Sequence, residues 1–208
     1  MSHYFSEKQE IKSDKKTIKY KIVNRNFEFM TDNGVFSKAK VDFGTDVMLK
    51  VFLRENTDRK SQKFDVLDIG CGYGVVSVVV KSFFQNVKTV SSDVNERALE
   101  LTRENLLKNR VARIENENFQ VRKSFAFDNI SEKFDVILSN PPIRAGKQTI
   151  FQIYEQSFEH LNGNGEFYCV IQTKHGAKST QKKLEEVFGN CETLEINAGY
   201  RIFRSIKK

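Results

Sequence analysis

The sequence predicts an α/β fold in which a mostly parallel β-sheet carries helices on both faces. Short strand-like apolar runs alternate along the chain with stretches of helical periodicity. One of these runs, residues 64–67, leads directly into a glycine-rich loop that is followed by an apolar helical stretch. At 208 residues the chain is long enough for one sizeable core and short of two, so we expect a single domain over residues 1–208.

The N-terminal part predicts a β-hairpin ahead of the main sheet. Residues 17–23 and 27–30 have the composition of two short strands, and residues 24–26 between them suit a turn. We expect residues 1–40 to form an N-terminal extension that covers the domain as a flap, and residues 41–208 to form its core.

The remaining elements alternate as the fold class requires. Apolar residues at helical spacing indicate the helices, and short apolar runs bounded by glycine, proline or polar residues indicate the strands. The predicted order is a helix around 47–52 with Thr45 as a candidate cap, a loop over 54–63, a strand at 64–67, a helix from 75, a strand at 87–92, a helix over 95–108, a less regular strand over 113–121, a strand at 134–138, a helix over 148–161, a turn at 162–165, a strand at 166–172, a helix ending at Gly189, and paired strands at 191–196 and 200–206.

Composition narrows the function classes. The formal charge of +7 and the sequence pI near 9.2 suit a polyanionic partner, although solubility alone also accounts for them. The chain has no run of eighteen apolar residues and no signal-peptide centre near its start, so we expect a soluble, cytoplasmic protein without a membrane partner. Its three cysteines and three histidines are scattered, which predicts reduced thiols and no metal site.

The glycine-rich loop is the first motif that carries chemistry. It reads Asp68-Ile-Gly-Cys-Gly-Tyr-Gly74, and glycines at alternate positions let a backbone turn tightly and approach a ligand. The next strand ends at Asp93, whose carboxylate suits both hydroxyls of a ribose, with a plain helix cap as the alternative. The spacing differs from that of dinucleotide-binding loops, and Asp68 would repel a pyrophosphate. S-adenosylmethionine, which has cationic groups in place of phosphates, fits better.

The second motif is Asn140-Pro141-Pro142 at the end of the strand at 134–138. The two prolines are the only ones in the chain, and they hold Asn140 at the tip of a stiff turn. Ligands of open parallel sheets bind beyond the carboxyl ends of the strands. The glycine loop, Asp93 and Asn140 all follow strands, so we expect them to converge at one rim of the sheet.

Together these motifs resemble the class I S-adenosylmethionine-dependent methyltransferases, which have a Rossmann-like fold. The chain is most similar to single-domain relatives of the RsmC-like guanine-N2 methyltransferases of small-subunit ribosomal RNA. The resemblance implies a seven-stranded sheet whose last strand is antiparallel. It rests on residues 34–37, residues 42–45, the glycine loop, Asp93 and the block 139–147.

The resemblance also implies a division of roles among the site residues. The family accepts both hydrogens of the target amine, one at the asparagine side chain and one at the carbonyl of the first proline. The predicted catalytic residues are Asn140, Pro141, Pro142 and Ile143; the predicted cofactor-binding residues are Phe36, Thr45, Asp68, Gly70, Cys71, Gly72, Gly74, Asp93, Val94, Ser124 and Asn140; the predicted substrate-binding residues are Arg144 and Lys147.

Several alternatives stay open at the level of sequence. Many amine methyltransferases place an aromatic residue after the prolines, and this chain has Ile143, which disfavours adenine-N6 DNA and glutamine-N5 protein methylation without excluding them. A non-catalytic domain that binds the cofactor or RNA is a third possibility. The residue that holds the adenine of the cofactor stays open between Ser124, the backbone beside Phe125 and, less favoured by its position, Asp128. Arg144 and Lys147 fit RNA phosphates as well as they fit an ordinary solvated loop. The expected partner is ribosomal RNA or the small ribosomal subunit.

Overall fold

The computed structural model describes residues 11–112 and 118–208 and contains nine β-strands in two sheets. Two strands form an N-terminal hairpin, and the other seven form the central sheet. The predicted fold class is confirmed. The strands are β1 (Lys16–Ile22), β2 (Arg25–Thr31), β3 (Phe64–Ile69), β4 (Val87–Asp93), β5 (Phe119–Lys123), β6 (Phe134–Ser139), β7 (Leu161–Gln172), β8 (Glu192–Asn197) and β9 (Tyr200–Ile206).

The strand order of the central sheet is β5-β4-β3-β6-β7-β9-β8. The pairs from β5 to β7 are all parallel, and β9 runs antiparallel to both of its neighbours. The chain first builds outward from β3 through β4 to β5 and then returns to β6 on the other side of β3. Carboxyl ends on both sides of this reversal therefore lie at one edge, where open sheets bind ligands.

Among the described residues, five α-helices cover both faces of the sheet. They are α1 (Phe43–Glu55), α2 (Val75–Phe83), α3 (Glu96–Lys108), α4 (Lys147–Glu159) and α5 (Ala177–Phe188). Within β6, Val136 and Leu138 belong to the core beneath α1, α2 and α3, whereas Ile137 between them belongs to the core beneath α4 and α5, and all three are fully buried. Burial on both faces explains why this strand is apolar at successive positions. None of the helices, within the described ranges, has the length and apolar character needed to span a membrane.

The N-terminal hairpin packs on α3. Phe27 and Phe29 of β2 are buried in the core on that face of the sheet. The side-chain amide of Asn105 accepts from the N–H of Met30 and donates to its carbonyl, and Asn109 makes the same pair of bonds with Glu28. Two asparagines one helical turn apart thus complete the backbone hydrogen bonds along the outer edge of β2. That residues 1–40 act as a flap stays a prediction.

Two local predictions differ from the structure, and a third is tested only in part. Residues 162–165, predicted as a turn, lie inside β7, where the pairing with β6 shifts between Phe134 and Val136 and accommodates them as a bulge. The predicted strand at 113–121 is observed from Phe119 onward, and residues 113–117 lie outside the described ranges. Thr45 does not cap α1. That role belongs to Asp42, whose Oδ2 accepts from the N–H of Thr45 at 3.0 Å.

Candidate active site

A cavity of about 610 Å³ lies at the carboxyl ends of the parallel strands. Its volume is typical of small-molecule sites. It brings together most of the residues that the sequence singles out, and two of them, Gly74 and Lys147, are not among the described residues that border it. The predicted residues on its walls are Phe36, Thr45, Asp68, Gly70, Cys71, Gly72, Asp93, Val94, Ser124, Asn140, Pro141, Pro142, Ile143 and Arg144.

The glycine loop presents its backbone to the cavity. Gly70 and Gly72 have φ angles of +73° and +56°, a conformation that glycine adopts without strain. A Cβ added to either would meet no atom within 4 Å, so the space that a side chain would fill is open. The loop is held from below, because the N–H groups of Gly70 and Cys71 both donate to the carbonyl of Ser92 at the end of β4.

Two members of the loop, Gly74 and Cys71, pack against α3, and Cys71 also borders the cavity. A Cβ on Gly74 would lie 2.9 Å from Thr102 of α3, so this glycine permits close packing of α2 against α3. The thiol of Cys71 is buried 3.6 Å from the hydroxyl of the same threonine, and burial raises its pKa well above the ordinary value. Both residues therefore support the shape of the loop from behind.

Asp93 connects the glycine loop to the start of α3. Its Oδ2 accepts from the N–H of Gly72 and its Oδ1 from the N–H of Asn95, both at 2.9 Å. Burial raises the pKa of this carboxyl. The cap of α3 is Asn95, whose Oδ1 accepts from the N–H of Arg97 at 3.1 Å. With the cap supplied by Asn95, the carboxylate of Asp93 is held rigidly at the cavity wall.

Asp68 lies at the base of the loop and is almost completely buried. Its Oδ2 accepts from the backbone N–H of Ser77 at 3.1 Å and from the Ser77 hydroxyl at 2.8 Å. Burial, and secondarily the charge of Asp93, raises the pKa of Asp68 to about 7. A cationic group bound in the cavity would favour the ionised form and lower this pKa.

The loop after β5 forms the end wall beside Asp93. The hydroxyl of Ser124 donates to the carbonyl of Ala126 at 2.9 Å and accepts from the N–H of Asn129 at 3.0 Å, and its own N–H donates to the carbonyl of Asp93. The polar groups of Ser124 thus hold the loop in shape. Its neighbour Phe125 borders the cavity and is 47% exposed, which makes it the flat apolar surface at this end.

Asn140 is held by side chains from the start of α1. Its Nδ2 donates to Asp42 Oδ2 at 3.0 Å and to Thr45 Oγ1 at 2.9 Å. A carboxylate only accepts, so the amide group that faces Asp42 is the NH₂. The amide oxygen of Asn140 is consequently the end directed away from α1 and available as an acceptor.

Asp42 was not among the predicted site residues. Its position before a helical stretch, three residues ahead of Thr45, is a capping signal that the sequence offered. Its contact with Asn140 joins residues that are 98 positions apart, which no local pattern contains. The Thr45 hydroxyl accepts from Asn140 Nδ2 at 2.9 Å, and that Thr45 binds the cofactor stays a prediction.

The turn after Asn140 is short and rigid. Pro141 is buried, and the carbonyl of Pro142 accepts from the N–H of Ala145 at 2.8 Å. Ile143 packs against the core beneath α4 and α5 and borders the cavity. The next charged residue, Arg144, is exposed at the cavity edge.

The cavity is also bordered by residues that were not predicted. Gln172, at the end of β7, His175, which follows it, and Tyr200, at the start of β9, border the cavity on the side away from Asp93. The Gln172 amide donates to the Tyr200 hydroxyl. They follow or begin strands without any motif, so only the pairing of β7 with β9 brings them to the site.

Lys147 lies on the outer side of the same turn. It begins α4, and its ammonium group is 5.0 Å from the centroid of the Phe151 ring. This contact is with the surface of α4, so any interaction of Lys147 with a substrate would be made outside the cavity.

The chain is similar to known proteins over most of its length. Residues 26–204 match the family described as methyltransferase small domain. The uncharacterized protein YbxB of Bacillus subtilis (strain 168) is 40% identical over 99% of this chain and 98% of that protein.

Other similar proteins are named as methyltransferases. Ribosomal RNA small subunit methyltransferase C of Erwinia tasmaniensis is 32% identical over 84% of this chain and 48% of its own length. The structure of the T. thermophilus 16S rRNA N2 G1207 methyltransferase (RsmC), in complex with AdoMet and guanosine, superimposes with a TM-score of 0.82 at 22% identity, over 93% of this chain and 51% of that chain, which shows a common fold. The chain therefore spans about half the length of these two proteins.

Proposed function

Because this chain belongs to the methyltransferase small domain family, as an S-adenosylmethionine-dependent methyltransferase of the RsmC type, we propose that its acceptor is the N2 amine of a guanine in small-subunit ribosomal RNA. The observation that carries the proposal is the orientation of Asn140, whose NH₂ group is fixed by Asp42 and Thr45 so that its oxygen can accept an N–H. The guanine and the RNA are suggested by relatives whose names give these substrates.

The cavity residues fit S-adenosylmethionine. The open space above Gly70 and Gly72 is a cradle that a Cβ would fill, and the Asp93 carboxylate suits the hydroxyls of a ribose. Asp68 provides negative charge near the cationic methionyl end, and Phe125 offers an apolar face for an adenine. When bound, the cofactor supplies a methyl carbon made electrophilic by its sulfonium.

Asn140 and Pro141 would act on the acceptor amine. An exocyclic amine of a purine is a weak nucleophile because its lone pair is delocalised into the ring. Accepting its two N–H groups at Asn140 Oδ1 and the Pro141 carbonyl favours a pyramidal nitrogen and directs the lone pair toward the methyl carbon. This chemistry needs positioned acceptors and no strong base, in keeping with the amide and carbonyl groups at this turn.

The charge of the chain supports an RNA substrate. The formal charge of +7 favours a polyanion, and Arg144 is exposed at the edge of the cavity where a nucleotide's phosphates would pass. Neither the positive charge nor Arg144 would favour a glutamine side chain of a protein as the acceptor.

The test is methyl transfer from radiolabelled S-adenosylmethionine to separate pools of acceptors. The pools are small ribosomal subunits from cells that lack the gene, free ribosomal RNA, DNA and release factors, and the Asn140→Ala protein serves as the control. We expect label in the ribosomal RNA, recovered as N2-methylguanosine after digestion to nucleosides. Label in release factors or as N6-methyladenine in DNA would overturn the proposed acceptor, and a protein that binds S-adenosylmethionine but labels nothing would indicate a binding domain.

A further inference from the structure

We propose that Tyr200, supported by Phe43, forms the aromatic wall against which the acceptor base stacks. The inference rests on the proposed function and assigns it a substrate-binding surface. Many amine methyltransferases have an aromatic residue after the two prolines, where it can stack on the substrate. This chain has Ile143 at that position, so another residue must supply the stacking surface.

Tyr200 and Ile143 lie on opposite sides of Asn140. Tyr200 packs against the core beneath α1, α2 and α3, whereas Ile143 packs against the core beneath α4 and α5. Asn140 follows β6, between these two layers, and all three residues border the same cavity. A flat base between the two walls would present its edge to the Asn140 amide.

Gly44 shows how closely the tyrosine ring approaches the catalytic turn. A Cβ added to Gly44 would lie 2.7 Å from Cε1 of Tyr200 and 3.0 Å from Oδ2 of Asp42. The ring therefore lies directly over the first turn of α1, beside the carboxylate that holds Asn140. Any larger residue at position 44 would displace the ring, so the glycine is a steric requirement of this arrangement.

Two contacts fix the tyrosine ring in place. The Gln172 amide donates to its hydroxyl, and the Phe43 ring lies 5.5 Å away from it, centroid to centroid. Within the described residues, Gln172 Oε1 is buried without a hydrogen-bond partner, and Phe43 is 41% exposed. An unpaired buried oxygen on Gln172 and an exposed Phe43 ring are both unfavourable. That these two residues nevertheless hold the Tyr200 ring indicates that this ring has a purpose other than packing.

An aromatic wall suits a base that has left its stack. Proteins that act on single nucleotides hold the extruded base by stacking on a ring and by hydrogen bonds to its edge. Here the ring comes from β9, the aliphatic contact comes from Ile143, and the edge is read by Asn140. The wall therefore selects for a planar acceptor.

Tryptophan fluorescence tests this placement without depending on turnover, because the chain has no tryptophan. In Tyr200→Trp, with the cofactor position saturated by S-adenosylhomocysteine, added guanosine should quench the emission. In Phe125→Trp, at the other end of the cavity, S-adenosylhomocysteine should change the tryptophan emission. Guanosine added afterwards should cause no further change in that emission. A Tyr200→Trp protein that binds S-adenosylhomocysteine and does not respond to guanosine would overturn the proposal.

Steady-state kinetics with small ribosomal subunits give the second test. Tyr200→Leu should raise KM for the subunits about tenfold, the size expected for one lost stacking contact. Tyr200→Phe keeps the ring and loses only the hydrogen bond from Gln172, so it should raise KM less, and both variants should retain S-adenosylmethionine affinity. An unchanged KM in Tyr200→Leu, with wild type active on guanine, would reject the stacking role of Tyr200 and leave the proposed function standing. Quenching of Tyr200→Trp by guanosine, with wild type inactive on guanine, would support the wall and reject the proposed reaction.

Discussion

The two halves of the cavity are built in different ways. In the half that we propose binds the cofactor, called the cofactor half and formed by residues 68–74, 93–95 and 124–129, backbone groups of neighbouring strand ends bond to one another, as the Ser124 N–H does to the Asp93 carbonyl. In the acceptor half, formed by residues 42–45, 140–145, 172 and 200, side chains from distant segments hold one another. The cofactor half is thus a property of local chain conformation, and the acceptor half is a property of the tertiary structure.

From this difference we expect that some mutations will change the affinity for S-adenosylmethionine and others will change the rate of methyl transfer. A change that strains the loop backbone should affect cofactor affinity, because the loop is the binding surface that we propose. A change in the side-chain network around Asn140 should leave that surface intact and affect the reaction. The following substitutions test the separation, starting with the largest expected effect.

Replacing Asn140 with alanine should lower kcat by about 100-fold or more, the effect typical of a lost group that stabilises the transition state. The dissociation constant of S-adenosylmethionine should change little, because the glycine loop and Asp93 are untouched. Single-turnover methylation and calorimetric cofactor binding measure the two quantities. Equal losses in both would mean that Asn140 acts chiefly as a cofactor ligand, and the two halves would then not be separable.

Replacing Gly72 with alanine should weaken S-adenosylmethionine binding about tenfold, or roughly 1.4 kcal/mol. The added Cβ would enter the cradle, and the φ of +56° would be strained. Gly189→Ala is the matched control, since Gly189 has a φ of +71° and equally open space at the end of α5, away from the cavity. Both variants should lose about 1 kcal/mol of unfolding free energy. Equal cofactor affinities in the two variants would refute a binding role for the loop.

Asp42→Asn should lower kcat about tenfold at unchanged cofactor affinity. An asparagine also donates, so it no longer dictates which end of the Asn140 amide faces α1, yet it remains a good helix cap and should preserve stability. Asp46→Asn is the control in the same helical turn, since Asp46 contacts Tyr20 and Lys50 instead. If both variants retained full kcat, Asp42 would be only a cap.

The smallest of these effects should come from the ionisation of Asp68, which makes stability and cofactor affinity depend on pH. Its folded pKa of about 7 is raised from an ordinary 3.8, so its protonation contributes stability that is complete below pH 3.8 and is lost as the pH rises through about 7. Relative to Asp68→Asn, wild type should therefore lose thermal stability between pH 4 and 8. Because a cationic ligand favours the ionised carboxyl, S-adenosylmethionine should bind wild type several-fold more tightly above pH 7 than below it. Parallel profiles for the two proteins would disprove this assignment.

The sequence predicted the cofactor half better than the acceptor half, and the reason is physical. The glycine loop and Asp93 are short-range features: each follows its own strand, and parallel strands bring their ends together. Asn140 was identified because two prolines mark its turn. Its orientation depends on Asp42, 98 positions away, and residues such as Gln172 and Tyr200 reach the site through strand pairing that no local pattern specifies.

Residues 162–165 show how a long-range contact overrides a local pattern. They have turn composition, but pairing with β6 draws them into β7 as a bulge. The hydroxyl of Ser124, by contrast, makes short-range bonds to Ala126 and Asn129 that shape the loop presenting Phe125. That Ser124 binds the cofactor stays a prediction.

Asn105 and Asn109, which bind the backbone of β2, also affect how the hairpin can associate with other molecules. An edge strand with unpaired N–H and C=O groups is a template for pairing with a second molecule. Asn105 and Asn109 occupy those groups at Met30 and Glu28, so the helix takes the place of a third strand. That side of the hairpin is closed to intermolecular β-pairing, which protects a short two-stranded sheet from aggregation.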